Sequence, residues 1–129
     1  MVVDLPHGPR AAAAARSATR EVLGRWRLPA VLDDVLLAVS ELVTNAVVHG
    51  KPKVWLVLRR GASRVDVSVH DGRPLSDAPM EGSEDDRAES GRGLRIVRTL
   101  SDGVRYEQVA DDGKFVHASF ATADAGGRT

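Results

Sequence analysis

Glu41, Asn45 and His49 recur at four-residue steps in the run Val39-Ser40-Glu41-Leu42-Val43-Thr44-Asn45-Ala46-Val47-Val48-His49-Gly50. On a helix of about 3.6 residues per turn, such steps stack side chains into one slowly drifting row. Val31, Leu32, Val35, Leu36, Val39, Leu42, Val43, Ala46 and Val47 fill one arc of the same wheel. The polar row follows the edge of that arc. A carboxylate, an amide and an imidazole beside a core suit the wall of a pocket better than a solvated face.

Two further stretches carry chemistry. Val65, Val67 and Val69 alternate with Asp66, Ser68 and His70, and Asp71 falls in phase with the valines. A strand that long ends on a carboxylate aimed at the core side, where an unpaired charge is costly and a donor is required. The alternative is that the strand ends at His70 and Asp71-Gly72 only opens a turn, the common use of that dipeptide. Farther on, Gly91-Arg92-Gly93-Leu94 precedes Ile96, Val97 and Leu100, an amphipathic pattern opened by Gly-x-Gly. Helix N-terminal amides attract anions, and glycine lets a backbone approach a phosphate. A plain loop-to-helix turn would use the same residues.

The elements that position these groups follow from periodicity. Residues 2–5 can form a brief edge strand or fray. Residues 10–26 read as a helix with Val22, Leu23 and Trp26 on one face. Pro29 marks the start of a second helix over 30–49, with Asp33 and Asp34 in its first turns and Gly50 as its stop. Strands are expected over 54–59, apolar on both faces as in a well-covered strand, and over 65–71, joined by the hairpin-sized link 60–63. Residues 72–90 lack periodicity and are acidic, too long for an ordinary connection, and fit a lid or a solvated loop. Two more strands, 104–109 and 114–121, flank Asp111-Asp112-Gly113. One domain over 1–121 and a small polar tail over 122–129 complete the chain.

The bulk numbers exclude several classes. Eighteen basic and eighteen acidic residues give zero formal net charge, which argues against binding driven by nucleic-acid phosphates or anionic lipid. Five aromatic residues make a poor stacking platform for nucleic acid. The absence of cysteine removes disulfides, thiolate chemistry and cysteine-ligated zinc. The four histidines, His7, His49, His70 and His117, are isolated in sequence and do not read as a zinc site. No apolar run approaches the roughly 20 residues of a membrane span, and no export signal is visible, so a cytoplasmic location is expected.

In order, these features are a polar row on a helix, a strand ending in an inward Asp, a lid-like loop, a Gly-x-Gly helix start and a hairpin. That order resembles the Bergerat ATP-binding fold of the GHKL superfamily, from about Arg10 to Phe120. The run Ser40 to Gly50 is most similar to the small single-domain branch of anti-sigma-factor serine kinases and their actinobacterial relatives. The resemblance implies a two-layer α/β sandwich, with a mixed, mainly antiparallel sheet covered on one face by three helices. It implies ATP and Mg²⁺ as cofactors. Glu41 would be the general base, Asn45 would ligate Mg²⁺, and His49 would lie near the phosphates or the lid. Asp71, followed by Gly72, would accept the adenine amino proton, and Gly91, Arg92, Gly93 and Leu94 would cradle phosphates. Lys114 and Thr99 sit where such proteins often add polar contacts. The first glycine box departs from the superfamily's usual Asp-x-Gly-x-Gly, reading Asp71-Gly72-Arg73-Pro74. The resemblance implies a serine/threonine protein kinase that phosphorylates an antagonist protein, sequesters a sigma factor, or does both. The alternative is a non-catalytic, nucleotide-gated interaction module. Either has a protein partner and no direct nucleic-acid or membrane contact, and homodimers are common in the branch.

Overall fold

Alternation of apolar and polar residues along its strands lets one face of the sheet carry the core while the other faces solvent. The computed structural model describes residues 1–49, 54–71, 89–109 and 113–122. Strand β1 (Val2–Asp4) is followed by helix α1 (Ala11–Trp26) and helix α2 (Leu32–His49). Strands β2 (Trp55–Arg60) and β3 (Arg64–Asp71) form a hairpin, closed by the Gly61 N–H donating to the Arg64 carbonyl at 2.7 Å. Helix α3 (Glu89–Leu100) leads to a second hairpin, β4 (Gly103–Gln108) and β5 (Lys114–Ala121). The strand order is β1-β2-β3-β5-β4, and every pairing among the described residues is antiparallel. Three helices on one face of this sheet make the two-layer α/β sandwich expected from the sequence, with the sheet wholly antiparallel among the described residues.

The register lines up the valines and leucines. Leu56 pairs with Val69 and Leu58 with Val67, while Val67 pairs with Ala118 and Val69 with Val116. Leu56, Leu58, Val65, Val67, Val69, Val116, Ala118 and Phe120 are all buried. Helix α2 packs on this layer and against α1 and α3, burying Val35, Ala38, Val39, Leu42, Val43 and Ala46. Full burial of a side chain of this size stabilises by about 1.5–3 kcal/mol, so α2 is the main support of the core. Thr19, fully buried on α1, satisfies its hydroxyl by donating to the Ala15 carbonyl at 2.7 Å.

Helix α1 ends in a left-handed residue that is not glycine. Arg27 has φ 61°, the Arg27 N–H donates to the Gly24 carbonyl, and the Leu28 N–H donates to the Leu23 carbonyl, both at 3.1 Å. This pair of bonds is the Schellman closure of a helix C-terminus. Pro29 then starts a single 3-10 turn, Pro29–Val31, that feeds α2.

Two sequence expectations shift. The strand expected over 54–59 is covered on one face only: Leu56 and Leu58 are buried, Val57 is half-buried, and Trp55 is 45% exposed. The open face lies on the side of the sheet away from the helices. Helix α3 begins at Glu89, so Gly91 and Gly93 fall inside its first turns and not at its boundary. Of the lid expected over 72–90, residues 72–88 lie outside the described residues and 89–90 belong to α3; of the tail expected over 122–129, residues 123–129 lie outside them, as do Gly50 and Asp111-Asp112.

Candidate functional site

Helix α2 carries Glu41 and Asn45 along the margin of its buried arc, and both side chains are half-buried. Between them Leu42 and Val43 point into the core and fix the rotation of the helix. Arg16 of α1 donates to the Ser40 hydroxyl at 3.0 Å, a cross-helix bond that pins α2 immediately before Glu41. Among the described residues, no hydrogen bond or ion pair engages the side chain of Glu41 or Asn45. A carboxylate and an amide at a core margin with unused hydrogen-bonding capacity suit contact with a ligand. His49 closes the row as the last residue of α2; its side chain is outside the described set.

Asp71 is the last residue of β3, in phase with buried Val65, Val67 and Val69. Its strand thus extends past His70, and its backbone pairs in register with Lys114, the first residue of β5. Lys114 is 2% exposed. A buried ammonium needs a compensating partner, and the position in register with Lys114 on β3 is that of an acidic residue, Asp71. The sequence did contain the signal for Lys114: it alternates in phase with Val116, Ala118 and Phe120. Thr99 is exposed on α3 and its hydroxyl donates to the Arg95 carbonyl of its own helix at 3.0 Å. Leu94 is 3% exposed and packs into the core with Val97. Its side chain therefore anchors α3, while its backbone belongs to the helix start. The side chain of Arg92 and the surroundings of Gly91 and Gly93 lie outside the described set, and Gly72 is among the residues not described.

The open sheet face holds a second cluster that sequence reading did not find. The Ser68 hydroxyl lies 2.6 Å from His117 Nδ1, and His117 Nε2 lies 2.8 Å from Glu107 Oε1. A carboxylate can only accept, so Nε2 carries the proton; in neutral His117 the Ser68 hydroxyl therefore donates to Nδ1. Nearby, Ser119 donates to Asp66 at 2.6 Å and Arg64 meets the same carboxylate at 3.3 Å. Serine, histidine and glutamate in a chain suggest nucleophilic catalysis. However, β3 is paired on both sides, with Ser68 opposite Val57 and His117. Its amides serve the ladders and offer no oxyanion hole. The cluster is a cross-strand polar network that orders the wet face of the sheet. It lines a shallow concavity of about 810 Å³ on the far side of the sheet from α2. Cross-strand register is invisible in sequence, which is why the network was missed.

Residues 5–120 match the model of the histidine kinase-like ATPase domain. The chain belongs to that family, which is of the GHKL type suggested by the polar row and the Gly-x-Gly helix. Membership implies an ATP site. The structure is also similar to a chain in the crystal structure of the SiaB-SiaC complex from Pseudomonas aeruginosa, with a TM-score of 0.65 and 12% sequence identity. That match covers 94% of this chain and 88% of the other. At such identity the likeness shows the fold. No curated protein matches the sequence. Among the described residues, no helix is long and apolar enough to cross a membrane.

Among the described residues, Glu41 and Asn45 fit the cation that the family usually employs with ATP. The Asn45 amide oxygen is a hard donor suited to Mg²⁺, which needs few protein ligands because it keeps water and phosphate oxygens. Half-burial of Glu41 and Asn45 leaves both accessible at the core margin.

Proposed function

We propose that this chain is an ATP-dependent serine/threonine protein kinase of the anti-sigma-factor type, acting on a small antagonist protein, holding a sigma factor, or both. The observation that carries the reading is the Glu41–Asn45 pair, half-buried side by side on α2 and engaged by no described side chain. In this reading Asn45 ligates Mg²⁺, which when bound neutralises charge on the phosphates. Glu41 accepts the proton of the attacking hydroxyl as the hydroxyl oxygen bonds to the γ-phosphorus and the bond from that phosphorus to the bridging oxygen breaks, releasing ADP. Asp71 holds the adenine end, while the first turns of α3, with Gly91, Arg92, Gly93 and Leu94, border the phosphate end and offer it the free amides of the helix start. His49 and Gly72 border the same site. Family membership supports a kinase or ATPase, and the similar SiaB-SiaC structure, a complex of two proteins, supports a protein partner. A cytoplasmic location belongs to the same reading.

The test is transfer of labelled phosphate from ATP with Mg²⁺ to a candidate antagonist. The reading predicts transfer by the wild type and its loss in Glu41→Gln. No transfer by the wild type, or equal transfer by the variant, would contradict it.

One observation favours a second reading. In Asp71-Gly72-Arg73-Pro74 neither later glycine of the usual box is present. A non-catalytic module would then bind ATP only to present or hide a partner surface. It predicts nucleotide binding that changes partner affinity, with no phosphate transferred.

A further inference from the structure

The face of the sheet away from the helices is wet, yet its charges are not evenly matched. Asp66 accepts from Ser119 at 2.6 Å and meets Arg64 at 3.3 Å, and Glu107 meets His117 at 2.8 Å. Both carboxylates are thus satisfied within the face. Arg59 of β2 and Arg105 of β4 line the same concavity of about 810 Å³. Both are exposed, and among the described residues no hydrogen bond or ion pair engages either guanidinium. The third lining carboxylate, Asp102, stands at the far end of β4 beside Gly103, and no described side chain engages it either. Among the described residues, the concavity keeps two uncompensated cations against one uncompensated anion.

The strand register fixes where the two arginines stand. Arg59 pairs with Asp66, Asp66 with Ser119, and Ser119 with Gly103, two residues before Arg105. Strands β3 and β5 lie between them. At about 4.8 Å between strands and about 3.4 Å per residue along them, Arg59 and Arg105 stand roughly 16 Å apart, corner to corner. The floor between them is polar but already committed: the Ser68 hydroxyl serves His117 and the Ser119 hydroxyl serves Asp66. A fitting ligand therefore has two separated anionic groups and an uncharged middle. A polyphosphate chain does not fit, because its middle charges would lie over Asp66. An extended protein segment does. Its residues i, i+2 and i+4 share one face, and i to i+4 spans about 13 Å, within reach of two long side chains leaning inward.

We propose that this concavity binds an extended acidic segment of a partner protein, with one carboxylate on Arg59, another on Arg105, and an uncharged side chain between them over Ser68 and His117. The site lies across the sheet from α2, so it stands apart from the nucleotide reading and its test needs no ATP.

Fluorescence anisotropy of labelled peptides on the full chain tests it. The peptides carry two glutamates spaced two, four or six residues apart in a threonine-valine background. The wild type is expected to bind the four-residue spacing tightest, and less tightly as salt rises. Arg59→Glu and Arg105→Glu are each expected to weaken that binding at least about tenfold, because attraction becomes repulsion. A peptide with one glutamate replaced by lysine binds each variant more tightly than the parent peptide does. Arg25→Glu, exposed on α1, leaves binding unchanged. No binding by the wild type overturns the proposal, as does equal binding by Arg59→Glu and Arg105→Glu. An oligothymidylate that binds more tightly than any peptide and is lost in the same variants overturns it in favour of a phosphate ligand. Self-association of the chain without peptide, seen by sedimentation and abolished by the same variants, overturns it in favour of a second copy.

Discussion

Glu41 and Asn45 sit where the physics of α2 puts them, at the border between a fully buried arc and the helix's wet side. If Glu41 is the proton acceptor and Asn45 the metal ligand, their variants fail differently. Glu41→Gln keeps the shape and hydrogen-bonding reach of the side chain but cannot take a proton. It is expected to bind ATP as the wild type does and to lose about 10²–10⁴-fold in phosphate transfer, read by labelled-phosphate kinetics beside calorimetry. Asp71 and Lys114 are a second residue-scale test. If the Asp71 carboxylate compensates its buried register neighbour Lys114, the two should couple, so a double-mutant cycle of Asp71→Asn and Lys114→Met is expected to give an interaction energy of about 1–3 kcal/mol. A value near zero, measured by denaturant unfolding, would mean that Lys114 finds its compensation elsewhere. The core phase of Asp71 was legible because strand alternation has period two. Lys114 has the same period-two signal, but lysine is so often exposed that composition outweighs phase. Its burial becomes evident only when β5 is placed between β3 and β4.

Element boundaries followed local signals well where caps and prolines speak. Pro29 opens the turn into α2, and the strand over Lys114–Ala121 has the bounds its alternation predicts. They followed less well where glycine is ambiguous: α3 takes Gly91 and Gly93 into its first turns, and only its amphipathic body was evident from Leu94, Val97 and Leu100. Strand β2 shows a different limit. Trp55, Leu56, Val57 and Leu58 are all apolar, yet only Leu56 and Leu58 are buried. Apolar composition cannot say whether a second layer covers a strand. The α1 terminus gives a stability prediction at this scale. Arg27 holds φ 61° with a Cβ that disfavours it. Arg27→Gly is expected to stabilise the protein by about 1 kcal/mol, seen as a higher unfolding midpoint at unchanged denaturant slope. Loss of stability would show that the Arg27 side chain contributes more than its backbone strain costs.

At the scale of the whole molecule, the sheet separates two surfaces. The helical side carries the α2 row, the end of β3 and the start of α3, the parts that the proposed function assigns to ATP. The open side carries the Ser68-His117-Glu107 network. Three helices on an antiparallel sheet were legible from the order of periodic segments, because each helix and hairpin announces itself locally. The open side was not, because it depends on which strands become neighbours. A chain that binds ATP in its native state alone should gain stability from it without any protein partner. Saturating ATP with Mg²⁺ at a hundredfold over its dissociation constant is expected to add about 2.7 kcal/mol, read as a rise in melting temperature. The most direct measurement is calorimetric titration of ATP, with and without Mg²⁺, into the full chain and into Asn45→Ala. The account predicts saturable, Mg²⁺-dependent binding by the wild type and loss of the Mg²⁺ dependence in Asn45→Ala; no binding by the wild type, or the same Mg²⁺ dependence in both, would contradict it.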